Sequence, residues 1–135
     1  MRSTDHAGIG ALVGWIAIDA LARGRSLRTK LGLWTYGVLL SVFIDLDHFV
    51  LARLKTGSWS HLRRALAHPT WALTSTKEVF PDVGMKLERL TSHVIVGGIL
   101  VLVLRPFDRL FATYTAIVLY AHLLADLLHD VGLVR

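Results

Sequence analysis

The sequence predicts an all-α, integral membrane four-helix bundle, one domain over residues 1–135, with a long link between its second and third helices. Three observations lead there. Hydrophobic residues make up 53% of the chain and the mean hydropathy is +0.52, high for a soluble domain. Four apolar stretches stand out, at about 7–22, 31–51, 90–104 and 107–128. The three prolines, Pro69, Pro81 and Pro106, fall between them. A spanning helix needs about 20 residues for a hydrocarbon core of about 30 Å. A soluble helical bundle is the alternative. It fits less well, because the second to fourth stretches offer no polar face along most of their length.

The first stretch, AGIGALVGWIAIDALA, is short and rich in small residues; Gly8, Gly10 and Gly14 let neighbouring helices approach closely. It lacks a basic leader and carries Asp19, so no cleavable signal peptide is expected. A short basic link, RGRSLRTK, leads into the second stretch, LGLWTYGVLLSVFIDLDHFVL, which is long enough to span. Residues 52–89 form the long link. Within it SWSHLRRALAH, residues 58–68, places Trp59, Leu62 and Leu66 on one helical face beside Arg63 and Arg64. That pattern suits a helix at the lipid interface or a solvated loop helix. The third stretch is short and, like the first, needs tilt or local bilayer thinning. The turn RPFD leads to the fourth.

Basic residues outnumber acidic ones 15 to 10. Such a balance suits nucleic acid or anionic lipid. The apolar runs decide for lipid, so the expected setting is the cell membrane, crossed several times, with lipid and its anionic head groups as partners and no nucleic acid. The absence of cysteine excludes disulfides and thiolate metal sites. The dense charge of residues 23–30 predicts that this side faces the cytoplasm, although the long link is also basic.

The ionisable residues follow a pattern. His6 begins the first stretch; Asp45, Asp47 and His48 end the second; His93 lies near the start of the third; His122, Asp126, His129 and Asp130 end the fourth. Helices joined in series across a membrane alternate in direction, so all these groups converge on one end of the bundle. At about 100° per residue, Asp45 and His48 share a face, and Asp47 points away unless the helix is ending there. His122, Asp126 and His129 share a face over two turns. Asp19 sits at the opposite end, as a helix-terminal or basic-loop partner.

Each charge at membrane depth costs roughly 2.5–3.5 kcal/mol on insertion scales. Pairing lowers this cost and metal coordination lowers it further. Histidine and aspartate without cysteine form a nitrogen–oxygen donor set that suits Zn²⁺, Mn²⁺ or Fe²⁺. Six or more candidate ligands exceed one tetrahedral site, so two metals are expected, within a range of one to three. Paired metals about 3.5–4 Å apart generate hydroxide near neutral pH and clamp a phosphoryl group. A proton relay and a purely structural hydrogen-bonded cluster are the alternatives.

His6, then IDLDH at 44–48, TSH at 91–93 and HLLAD at 122–126 resemble, in order and spacing, the membrane-bound metal-dependent hydrolase family of bacteria and archaea, thought to be remotely akin to zinc-dependent phospholipase C. The resemblance spans nearly the whole chain. It implies a metal set of His6, Asp45, Asp47, His48, His93, His122 and Asp126. Members of that family carry HRxxTH at the third helix; this chain reads ERLTSH over 88–93, so Glu88 stands where the family has histidine. Glu88 then becomes a ligand or base. Arg89 reads either as a planar fork for phosphoryl oxygens or as a cation snorkelling at the helix start. His129 and Asp130 either orient the ligating imidazoles or are solvated.

The expectation is therefore a membrane-embedded metal-dependent hydrolase, with zinc as the first metal. Its substrate would be a phosphoester such as a lipid head group, attacked by a metal-bound hydroxide. A metal or proton carrier would need a polar path continuing across the bundle, and the far half offers only Asp19 as a carboxylate. A structural membrane protein that uses the cluster for stability is the third possibility.

Overall fold

A computed structural model describes residues 3–74, 76–81 and 83–133, with side chains for all of these except 76 and 77. Among the described residues the chain is helical and has no strand. The helices are α1 (Ser3–Leu21), α2 (Leu27–Phe43), α3 (Asp47–Thr56), α4 (Ser60–Ala67), α5 (Pro69–Thr74), α6 (Thr76–Val79), α7 (Lys86–Leu104) and α8 (Arg109–Asp130), with a 3-10 turn at Ile44–Leu46.

Local chemistry sets the boundaries. Ser26 caps α2 by accepting a hydrogen bond at Oγ from the Thr29 amide, and Asp108 does the same for α8 through the Phe111 amide. The end of α1 is closed by Arg23, whose Nε donates to the Asp19 carbonyl. Asp19 and Arg23 pair across 3.7 Å on the exposed surface, far from the other acidic groups discussed below. α3 stops at Gly57, which takes a left-handed backbone with φ of 72°.

The second apolar stretch is not one helix over 31–51. The α-helix begins four residues earlier, at Leu27, and stops at Phe43; a 3-10 turn then leads into α3. The tighter turn advances each residue by about 120° rather than 100°, which re-aims Asp45 and Asp47 relative to a continued α-helix. The third stretch starts at Lys86 rather than 90.

α1 packs on α2 and α8, and α7 packs on α8. The apolar core is Ala17, Ile18, Ala22, Leu33, Tyr114 and Val118. These residues come from the end of α1, the start of α2 and the first half of α8, so the core fills one half of the bundle. Tyr114 is fully buried there. A Cβ added at Gly14 or Gly37 would collide with its hydroxyl, so the two glycines make the space the phenol occupies.

Outside that core the surface is strongly apolar. Leu12, Trp15 and Ile16 on α1, and Val94, Ile95, Ile99 and Leu102 on α7, are all more than half exposed. Two helices, α7 and α8, are long and apolar enough to cross a membrane. α2 has 17 residues, and α1 carries Asp5 and Asp19 within its 19.

Candidate metal centre

The half of the bundle opposite the apolar core gathers the imidazoles and carboxylates. His6 comes from the first turn of α1, Asp45 from the 3-10 turn, His48 from α3, His93 from the second turn of α7, and His122 and Asp126 from one face of α8. The four histidines are at most 5% exposed, and Asp126 is fully buried. His6 and His122 stack with ring centroids 4.0 Å apart, and His48 stacks on His93 at 5.2 Å.

The donor atoms fall into two groups that share Asp45. One is His6, Asp45, His122 and Asp126; the other is Asp45, His48 and His93. In the first, His6 Nε2 lies 3.3 Å from Asp126 Oδ1 and 3.9 Å from Asp45 Oδ2. His122 Nε2 lies 3.3 Å from Asp45 Oδ1 and 3.5 Å from Asp126 Oδ2. Ligands bonded at about 2.0–2.1 Å to a tetrahedral ion sit about 3.3–3.4 Å from each other. Good N–H···O hydrogen bonds centre instead near 2.9–3.0 Å. Three of these four separations are therefore close to ligand spacing, and the fourth is longer. Among the described residues, His122 Nε2 has no hydrogen-bond partner.

In the second group His93 Nε2 is 3.1 Å and His48 Nε2 is 3.6 Å from Asp45 Oδ1. His48 lies on α3, beyond the apolar cylinder of α2. Burial brings its imidazole down to about 4, against the opposing pull of Asp45 and Asp47. It is a neutral nitrogen donor at physiological pH.

Asp47 is placed differently from the other carboxylates. It is outside both groups, and its Oδ2 lies 2.8 Å from His93 Nδ1 and accepts from Ser92 Oγ at 2.6 Å. With the His93 proton on Nδ1, this contact turns the Nε2 lone pair toward Asp45. Asp47 Oδ2 thus orients a ligand, while its Oδ1 lies 3.7 Å from His48 Nε2 at the edge of the second group. The 3-10 turn brings it back toward the cluster. Ser92, the middle residue of TSH, was given no role by the sequence; its place beside His93 in that motif was the available signal.

Arg89 lies at the rim. Its Nη2 donates to Asp130 Oδ2 at 2.6 Å and sits 3.7 Å from Asp126 Oδ1. It faces carboxylates at the helix start and does not snorkel away from them. His129 Nδ1 is 3.7 Å from Asp130 Oδ1, so this pair lies beside the arginine at the edge. Glu88 is not brought into the cluster: it is half exposed and pairs with Lys55 Nζ at 2.5 Å, and Lys55 also donates to the Gly84 carbonyl.

Asp45, Asp47, Asp126 and Asp130 thus converge; among the described residues Arg89 pairs with Asp126 and Asp130, and the imidazoles of His6, His48, His93 and His122 face the cluster. Buried carboxylates require compensation. Divalent cations fit that need, and the donors are of the right kind and spacing to hold them. A roof formed by α4–α6 covers the α3 side, where Phe80 meets His48 edge-on at 6.0 Å. Beneath it an apolar chamber of about 270 Å³ reaches Asp45 and His48. Comparison with protein families, curated proteins and solved structures finds no match to this chain.

Proposed function

We propose that this chain is a multi-pass membrane hydrolase that uses two divalent cations, zinc first, to cleave a phosphoester. The observation that carries the proposal is the double donor set: two groups of nitrogen and oxygen ligands meet at one shared carboxylate, Asp45. A carboxylate within reach of both ligand groups can bridge a pair of ions. The order of the His/Asp motifs, resembling the membrane-bound metal-dependent hydrolases, supports the same reading.

When bound, such a pair of ions supplies a water that ionises near neutral pH and a clamp for phosphoryl oxygens. The chain supplies the rest. Asp45 and Asp126 balance the cationic charge. Asp47 holds the His93 ring, and Arg89 holds Asp126 and Asp130. The roof limits water on the α3 side. The reaction consumes one water and releases an alcohol and a phosphate. Glu88, turned out to Lys55, has no part in it.

A carrier is disfavoured by the packing behind the cluster. Behind it Tyr114, Val118 and Ile18 fill the bundle, and the buried and half-buried polar groups described there, Ser41, Thr115 and the hydroxyls of Tyr36 and Tyr114, include no carboxylate or imidazole to relay a charge. The proposal takes α1 and α2 to cross the membrane with α7 and α8, the two among the described helices that are long and apolar enough by themselves.

Elemental analysis of detergent-purified protein, with turnover of p-nitrophenyl phosphate and its diester, tests the proposal. About two zinc ions per chain and chelator-sensitive hydrolysis are expected. Metal-free protein whose thermal stability ignores chelator overturns it.

A further inference from the structure

A groove of about 420 Å³ runs between α7 and α8. Its floor and walls are Gly97, Gly98 and Val101 from α7, with Ala116, Leu119 and Tyr120 from α8, and one end closes on His93 and His122. From His93 to Val101 a helix rises about 12 Å, so the groove follows the helix axes rather than crossing them. The two glycines divide the work. A Cβ at Gly97 would press on Leu119 Cδ1 at 3.1 Å, so Gly97 lets the helices approach, whereas a Cβ at Gly98 would meet nothing within 4 Å. Gly98 leaves open space beside a close helix contact.

We propose that this groove holds the alkyl chain of an amphiphile whose phosphate end is presented to His93 and His122. The occupant is set by polarity and direction. The groove lining is apolar except for Tyr120 and, at one end, His93 and His122. It lies between the two helices that are long and apolar enough to span a membrane. A hydrocarbon chain aligned with these helices therefore stays in hydrocarbon while its head group reaches the donor cluster. The chamber under α4–α6 also touches the cluster and is lined by Leu62, Leu66 and Leu73 from the link helices as well as Val42 and Phe43 from α2, so occupancy there is the competing outcome of the test. The inference narrows the substrate to a lipid-like phosphoester. It rests on the hydrolase reading for its head-group end alone.

The test uses a dodecylphosphonate with a diazirine at the chain terminus, photolysed with the full protein in lipid nanodiscs and mapped by peptide mass spectrometry. With the phosphonate at His93 and His122, labels from the chain terminus are expected at the far end of the groove, around Val101, Leu102 and Ala116, in excess over the outward face of α1 at Leu12, Trp15 and Ile16. Unlabelled dodecylphosphonate should displace them and butylphosphonate should not. Gly98→Leu and Val101→Phe each fill the groove and should cut labelling there about tenfold, the order of effect of losing about two methylene contacts. Retained metal and a cooperative thermal transition identify folded variants. Labelling spread evenly over α1 and the groove overturns the proposal, as does labelling that competitor does not displace. Labelling under the roof that is lost in Ala72→Phe and unaffected by Gly98→Leu also overturns it. Turnover of p-nitrophenyl phosphate without groove labelling defeats the chain site alone. Groove labelling in a metal-free, inactive protein defeats the hydrolase reading alone.

Discussion

Asp45 is the residue on which the cluster turns, because both donor groups need it. Asp45→Asn is expected to lower metal content at both positions together, measured by elemental analysis after gel filtration. His48→Ala should lower it at one. Asp47→Ala should lose the contact that fixes the His93 ring. Such outer contacts are worth about 10–100-fold in metal affinity, measurable against a chromogenic chelator. Glu88→Gln should leave metal content unchanged, since that carboxylate faces Lys55. The convergence of His6, Asp45, His48, His93, His122 and Asp126 was legible in the order of the motifs alone. The separate jobs of Asp47 and Glu88 were not. They depend on where the second helix stops and which way the first turn of α7 faces, and motif spacing encodes neither.

At the scale of elements, the apolar half is organised around Tyr114. Gly37→Val drives two methyl groups toward its hydroxyl and should destabilise by about 1–3 kcal/mol, the usual cost of overpacking, seen as a lowered thermal midpoint in metal-free protein. Gly98→Ala, with open space around the new methyl, should not destabilise; a helical glycine replaced by alanine gains up to about 1 kcal/mol. Existence and order of the long helices could be read from the apolar stretches, and so could the short helix after residue 58. The break at Phe43 could not. The run continues as Ile44, Leu46, Phe49, Val50 and Leu51 without proline or glycine, so hydropathy carries no stop signal there. What ends the helix is tertiary: the 3-10 turn lets Asp45 and Asp47 meet His93 from another helix.

For the molecule as a whole, stability and metal loading should be one quantity. The donors come from the start of α1, the turn after α2, α3, α7 and α8, so an ion held by them ties together segments more than a hundred residues apart in sequence. At a free metal concentration a thousandfold above Kd, the linkage is about 4 kcal/mol. Chelator should therefore lower the thermal midpoint. Acidification from neutrality toward pH 5 should do the same, because ligating imidazoles must be neutral to bind. Scanning calorimetry with and without added zinc at both pH values checks this. Equal midpoints in all four conditions would contradict it.

The 17 residues of α2 have a mechanical corollary. At 1.5 Å per residue the helix spans about 25 Å, some 5 Å less than an average hydrocarbon core. A bilayer meets such a shortfall by puckering around the protein. If α2 crosses the membrane as proposed, a dimple centred on the 3-10 turn would draw the phosphate plane of the adjacent leaflet inward, toward Asp45. The short helix would then do for a lipid what an open cleft does for a water-soluble substrate: it lowers the distance the molecule must climb out of its own layer to be reached.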